Sequence, residues 1–89
     1  MQLPVLAVFD DKTKVFCSPF TAQTISAALR DFAYAANDLD SNIGRYPSDF
    51  SLFHIGNYDD ETATLIPLTM SSLGTAIQFV QQTEVTQNV

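Results

Sequence analysis

Few side chains in this 89-residue chain could carry covalent chemistry. His54 is the only imidazole and Cys17 the only thiol, so Ser-His-Asp or Cys-His catalysis would have to pass through one histidine. A general base needs a nucleophile and an orienting partner within reach, and the sequence around His54 points to neither. His54 therefore reads as a packed or surface strand residue, and Cys17 as a small buried apolar side chain within a strand. A single cysteine forms no intramolecular disulfide, and with one histidine it makes no zinc-type ligand set. No catalytic residue, metal site or cofactor is expected, and the chain reads as nonenzymatic.

Asp59-Asp60-Glu61 and Asp10-Asp11 could offer oxygen ligands to a hard cation, but their spacing is not that of an EF-hand loop. Acidic residues gathered at hairpin turns are usually solvated turn formers. Gly44, Gly56 and Gly74 lie too far apart to form a phosphate-cradling loop. Nucleic-acid contact needs cations for phosphates and flat rings for bases. The candidates are Lys12 and Lys14 around the first turn, Arg30 on a helix, and Arg45 with Tyr46 in the loop that follows it. Ten acidic residues against four basic ones give a net charge of −6, which repels polyanions at long range and disfavours nonspecific DNA coating. Four cations could neutralise at most about four phosphates. The same acidity suits a basic protein as partner.

The elements that must position these residues follow from the apolar pattern. Residues 3–9 (LPVLAVF) form a near-continuous apolar run, the mark of a central strand covered on both faces. The polar cluster 10–13 turns the chain into a second strand over 14–20, which Pro19 ends or places on an edge. From Thr21 the period becomes helical. Ile25, Ala28, Leu29, Phe32, Ala36 and Leu39 share one stripe, with Thr21 or Thr24 as cap and fraying over 37–40. Residues 40–49 read as a loop. A strand follows over 50–58, with Phe50, Leu52, His54 and Tyr58 on one face and Phe53 and Ile55 on the other. Residues 63–68 return as an edge strand bearing Pro67. Leu73, Ala76, Ile77 and Val80 leave a short helix and an extended tail both open.

The expected fold is α+β, in the order ββαββ: a four-stranded, mostly antiparallel sheet with one long helix on one face. Residues 1–82 form a single domain and 83–89 a frayed tail. One helix covers one face, so Phe16, Phe50, Leu52 and Tyr58 are candidate interface residues on the other. A homodimer, packed sheet to sheet or through edge strands, is the simplest closed solution. The N-terminal run lacks a basic region and meets Asp10 after too few apolar residues for a signal peptide or a membrane span. No membrane association is expected, and the free cysteine fits a reducing cytosol.

Several segments together resemble one family: Phe9-Asp10-Asp11-Lys12, Pro19-Phe20, Ala28-Leu29-Arg30-Asp31-Phe32, the run PSDFSLFHIGNYDDETATLIPL, and Leu73-Gly74-Thr75-Ala76. They are similar to the small nonstructural protein of gokushoviruses, tailless single-stranded DNA phages of the Microviridae. The resemblance covers roughly residues 5–80 and is most specific from Pro47 to Asp60. Many relatives carry Pro-Glu-Asp-Tyr where this chain has Pro47-Ser48-Asp49-Phe50. The resemblance implies an early, non-capsid phage protein in the host bacterial cytoplasm. Such proteins are commonly described as DNA-binding and as helping to switch replication from duplex copying to single-strand synthesis and packaging. The alternative expectation is an acidic dimeric adaptor with no nucleic-acid affinity.

Overall fold

The computed structural model describes residues 1–81, so the frayed tail expected at 83–89 lies outside the described residues. The fold is α+β, with the elements β1 (Gln2–Asp10), β2 (Val15–Phe16), β3 (Phe20–Thr21), α1 (Ile25–Ala36), α2 (Asn42–Arg45), β4 (Phe50–Asp59) and β5 (Thr64–Thr75). Single turns of 3-10 helix cover Pro47–Asp49 and Ala76–Phe79. The sheet is antiparallel, in the order β2-β1-β4-β5, with β3 also pairing with β1.

β1 is the central strand that its unbroken apolar run demands. Val5, Leu6, Ala7 and Val8 are all buried, on both faces of the sheet. The second strand differs from expectation. Cys17–Pro19 interrupts it, so β2 and β3 are two-residue strands along the same edge of β1, and the sheet has five strands rather than four. Pro19 has no amide proton to continue the ladder, which accounts for the break.

α1 starts where Thr24 Oγ1 accepts a hydrogen bond from the Ala27 amide at 3.0 Å, and it ends at Asn37. The segment 40–49, expected to be a loop, instead forms α2 and a 3-10 turn. Ser41 Oγ caps α2 by accepting from the Gly44 amide at 2.9 Å, and Pro47 sits in the first turn of the 3-10 segment. β5 also runs further than expected. It absorbs residues 69–75, and the chain then turns through Ala76–Phe79.

Leu6, Val8, Phe50 and Leu52 of the sheet form the core with Ala28, Phe32, Ala36 and Ala76. Phe79 closes this core, its ring edge-on to Phe32 at 5.7 Å. Asn37 ties the end of α1 to the C-terminal turn, donating to the Phe79 carbonyl at 3.0 Å and accepting from the Gln81 amide at 2.7 Å. The C-terminal turn therefore packs on the helix side. The core residues sit within Leu6–Val8 and Phe50–Leu52, so the far ends of β1, β4 and β5 run past them and the molecule measures 57 × 28 × 22 Å.

This arrangement corrects two interface expectations. Phe50 and Leu52 lie under α1 and the C-terminal turn, with Leu52 fully buried, so they are core residues. The face of β4 that carries them is the one the helix takes, because Leu52 pairs with the core residue Val8. Tyr58 is also on the opposite face from Phe50. The register of β1 and β4 shifts between Val5 and Leu6, where Val5 pairs with Gly56 and Leu6 with His54. Ile55 is the extra residue, and one extra residue reverses the side on which every later side chain emerges. Tyr58 thus pairs with Leu3 on the side opposite the helix.

Candidate functional site

Alternation along β1 puts Leu6 and Val8 under the helix and Leu3, Val5, Ala7 and Phe9 on the other face. Residues paired across antiparallel strands project to the same side, so Phe53 and Tyr58 of β4 and Leu65 of β5 join that second face. Among the described residues no helix covers it. Phe9, Phe16 and Phe53 pack there as an aromatic cluster, with ring centroids 4.8 Å apart for Phe9 and Phe16, 5.5 Å for Phe16 and Phe53, and 6.4 Å for Phe9 and Phe53. The rings are tilted or edge-to-face, the geometry their quadrupoles favour. Phe16 remains 41% exposed.

Beside the cluster, three shallow depressions adjoin at Pro19. One of about 360 Å³ is lined by Ala7, Phe16, Cys17, Ile55 and Met70 as well. A second, of about 350 Å³, lies over the bulge and reaches Leu65, Ile66 and Pro67. The third, of about 270 Å³, takes in Leu3, Phe20, Tyr58 and Leu65. Their walls are apolar almost throughout. Pro19 lies in the break of the edge strand and lines all three depressions. The Ile55 bulge adds to this relief, because it re-aims Tyr58 toward this face.

The residues expected to touch nucleic acid do not converge. Lys12 and Tyr46 line one depression of about 410 Å³ at the end of the sheet, but Asp10, Asp49, Asn42 and Phe50 share it. Lys14 is paired with Asp11 at 2.9 Å. Lys14 donates to that carboxylate and holds its pKa below the ordinary 3.8. The Arg30 guanidinium, exposed on α1, lies 3.9 Å from Asp31. Arg45 donates to Asn42 Oδ1 at 2.9 Å. Lys14, Arg30 and Arg45 do not line the depression that holds Lys12 and Tyr46.

His54 is half-buried on the helix side, its Nε2 3.1 Å from Asn57 Oδ1. Cys17 is exposed rather than buried, because the chain leaves the ladder at Pro19, and its thiol borders the opposite face. The sheet therefore separates the two side chains that a Cys-His pair would need together. The acidic turn is engaged by the N-terminal amine, which donates to Asp60 at 2.9 Å and Glu61 at 3.2 Å and lies 3.9 Å from Asp59. These carboxylates raise the pKa of the amine above its ordinary 8.0. Among the described residues no three His, Cys, Asp or Glu side chains cluster to hold a metal ion, and no helix is long and apolar enough to cross a membrane.

Residue types alone signalled Phe16 and Tyr58 but missed Phe9, Phe53, Ile55, Pro19 and Met70 as parts of one surface. The period-two pattern already set Phe53 and Ile55 apart from Phe50 and Leu52. The missing datum was which of the two faces the helix occupies. A family model described as "Phage ORF5 protein" matches residues 3–79. Neither a curated protein nor a solved structure matches the chain.

Proposed function

The chain belongs to the Phage ORF5 protein family, and on that premise we propose that it is a nonenzymatic accessory protein of a single-stranded DNA phage, acting by binding. The gokushovirus resemblance supports genome replication or packaging, in the host cytoplasm, as the process. The observation that carries the binding role is the uncovered sheet face, where Phe9, Phe16 and Phe53 adjoin three apolar depressions. Contiguous exposed apolar surface on a small soluble domain marks an interaction site.

The partner that fits best is a protein of the replication or packaging machinery. Its contact region would present apolar side chains to the face and basic ones to the acidic turns at Asp10-Asp11 and Asp59-Asp60-Glu61. Long-range attraction between such charges speeds encounter, while the buried aromatic contact sets residence time. Direct DNA contact is the second reading, favoured by Lys12 and Tyr46 sharing one depression.

An anisotropy titration with single-stranded and duplex oligonucleotides at low and moderate salt separates the two readings. The protein-partner reading expects no saturable DNA binding at low salt. It also expects one of the phage's own replication or packaging proteins to bind, with at least tenfold loss in Phe16→Ser. Saturable single-strand binding that falls with salt and is lost in a Lys12→Ala, Tyr46→Ala variant would replace it with the DNA reading. An enzyme role has one specific test: loss of phage function on His54→Ala, with fold and partner binding intact, contradicts the nonenzymatic assignment.

A further inference from the structure

The two edges of the sheet are built oppositely. On one side, β2 and β3 are two residues each, separated by Cys17–Pro19, so that edge offers little continuous backbone. On the other, β5 runs twelve residues, Thr64–Thr75, and its outer side pairs with nothing among the described residues. Natural edge strands are usually blunted by charge, above all by lysine, or by shortness. β5 carries Pro67 and two register irregularities, but it lacks both of those protections: it is twelve residues long, and the sequence carries no Asp, Glu, Lys or Arg from Thr62 through Thr83. It also holds Leu65, Leu68 and Met70 in the open at 69%, 40% and 53% exposure.

We infer that β5 is a self-association edge, on which a second copy of this chain pairs antiparallel across a two-fold axis to extend the sheet through both molecules. Charge selects the occupant. A chain of net charge −6 repels its own copy almost everywhere, yet two β5 strands meet without placing any like charges opposite each other. A basic partner, by contrast, finds no carboxylate on this strand. Because residues 68–70 and Leu73 depart from the register, the strand spans the length of Ser51–Asp59 on β4, about 30 Å at about 3.4 Å per residue. With Leu65, Leu68 and Met70 leaning on their symmetry mates, the strip buries on the order of 600 Å² per partner, the lower end of what a stable dimer needs. Closure follows from the edges themselves. The β2/β3 edge is too broken to receive a β5 strand, so the isologous pair uses the one pairable edge of each molecule and growth stops at two. Pro67 and the irregular register at 68–70 and at Leu73 further restrict which alignments can form. Leu65 and Met70 border the uncovered face as well, but its aromatic cluster of Phe9, Phe16 and Phe53 takes no part in this contact, so the inference stands whether or not the partner reading above holds.

Light scattering on the full chain, followed over protein concentration, tests it. The expected mass is twice 9.8 kDa at high concentration, with dissociation on dilution. The Thr69→Lys, Ser71→Lys double variant adds two charges to exposed edge positions and shifts the dissociation midpoint upward at least tenfold, while Phe16→Ser leaves it within twofold. Hydrogen exchange gives the second readout: amides of residues 69–72 slow with concentration in the parent and not in the lysine variant. A parent that is monomeric at all concentrations overturns the inference. So does a dimer that survives the two lysines but is broken by Phe16→Ser, which assigns the contact to the face. Open-ended growth beyond two copies contradicts it equally.

Discussion

On the helix side of the sheet, Leu6, Val8, Phe50 and Leu52 meet Phe32, Ala36 and Ala76, and the contact excludes water. Across the same strands, Phe9, Phe16 and Phe53 meet one another and the solvent, with Tyr58 further along the same face. Both faces are apolar, so composition does not distinguish them. The difference lies in where the single long helix and the C-terminal turn are attached. Burial turns one set of large side chains into stability, and leaving the other set uncovered makes it available for contact.

Adjacent residues on β4 give the sharpest way to break that contrast. Leu52→Ala removes a fully buried side chain and costs about 2–5 kcal/mol of unfolding free energy. Phe53→Ala removes a larger side chain from the other face and costs about half as much or less, because part of its surface is already wet. Urea denaturation of the two variants at low concentration measures both. Equal losses would mean that the second face is covered in solution. Gly56→Ala probes the bulge that sets which residues reach that face. A Cβ at Gly56 would lie 2.6 Å from the Ile66 carbonyl oxygen, a backbone atom that cannot step aside without parting β4 from β5. The expected cost is about 1–3 kcal/mol. An increase in stability would show that the bulge is not held by this contact.

Much of the fold was legible in the chain because its signals are local. The unbroken run Leu3–Phe9 marks a strand buried on both sides, and the spacing of Ile25, Phe32 and Ala36 marks the helix face. Pro19 marks an edge or an end in the sequence, and in the structure it lies in a break between two short strands. The face assignment was not legible. Phe50 and Leu52 are as apolar as Phe53, and alternation says that they oppose Phe53 without saying which side meets α1. The reversal at Tyr58 was hidden for a related reason, since a bulge at Ile55 depends on pairing with β1 and leaves no mark in β4 alone. The basic candidates do not share one depression because Lys14 lies in the turn before β2, Arg30 on α1 and Arg45 on α2, and each has a polar neighbour close in sequence, Asp11, Asp31 and Asn42 respectively.

Smaller effects refine the comparison from its margins. Thr24→Ala removes the oxygen that accepts from the Ala27 amide and lowers stability by about 1 kcal/mol, with no effect on any contact made by the uncovered face. If partner binding changed with it, the two faces would be coupled through α1. At the first hairpin, Asp11 has its pKa lowered by the hydrogen bond from Lys14 and by that charge. A depressed folded-state pKa adds stability above the unfolded value of the carboxyl, and that increment is lost as pH falls through the folded one. Carboxyl NMR titration should place the Asp11 midpoint below 3.8 and return it toward that value in Lys14→Ala. An unchanged midpoint in the variant would mean that the pair does not persist in solution.

The most direct measurement is calorimetric titration of each of the phage's own replication and packaging proteins into the parent chain and into a Phe16→Ser, Phe53→Ser variant, after circular dichroism has shown both to be folded. The account predicts saturable binding of at least one of these proteins to the parent and loss of that binding in the variant. Binding that persists undiminished when both rings are gone would contradict it.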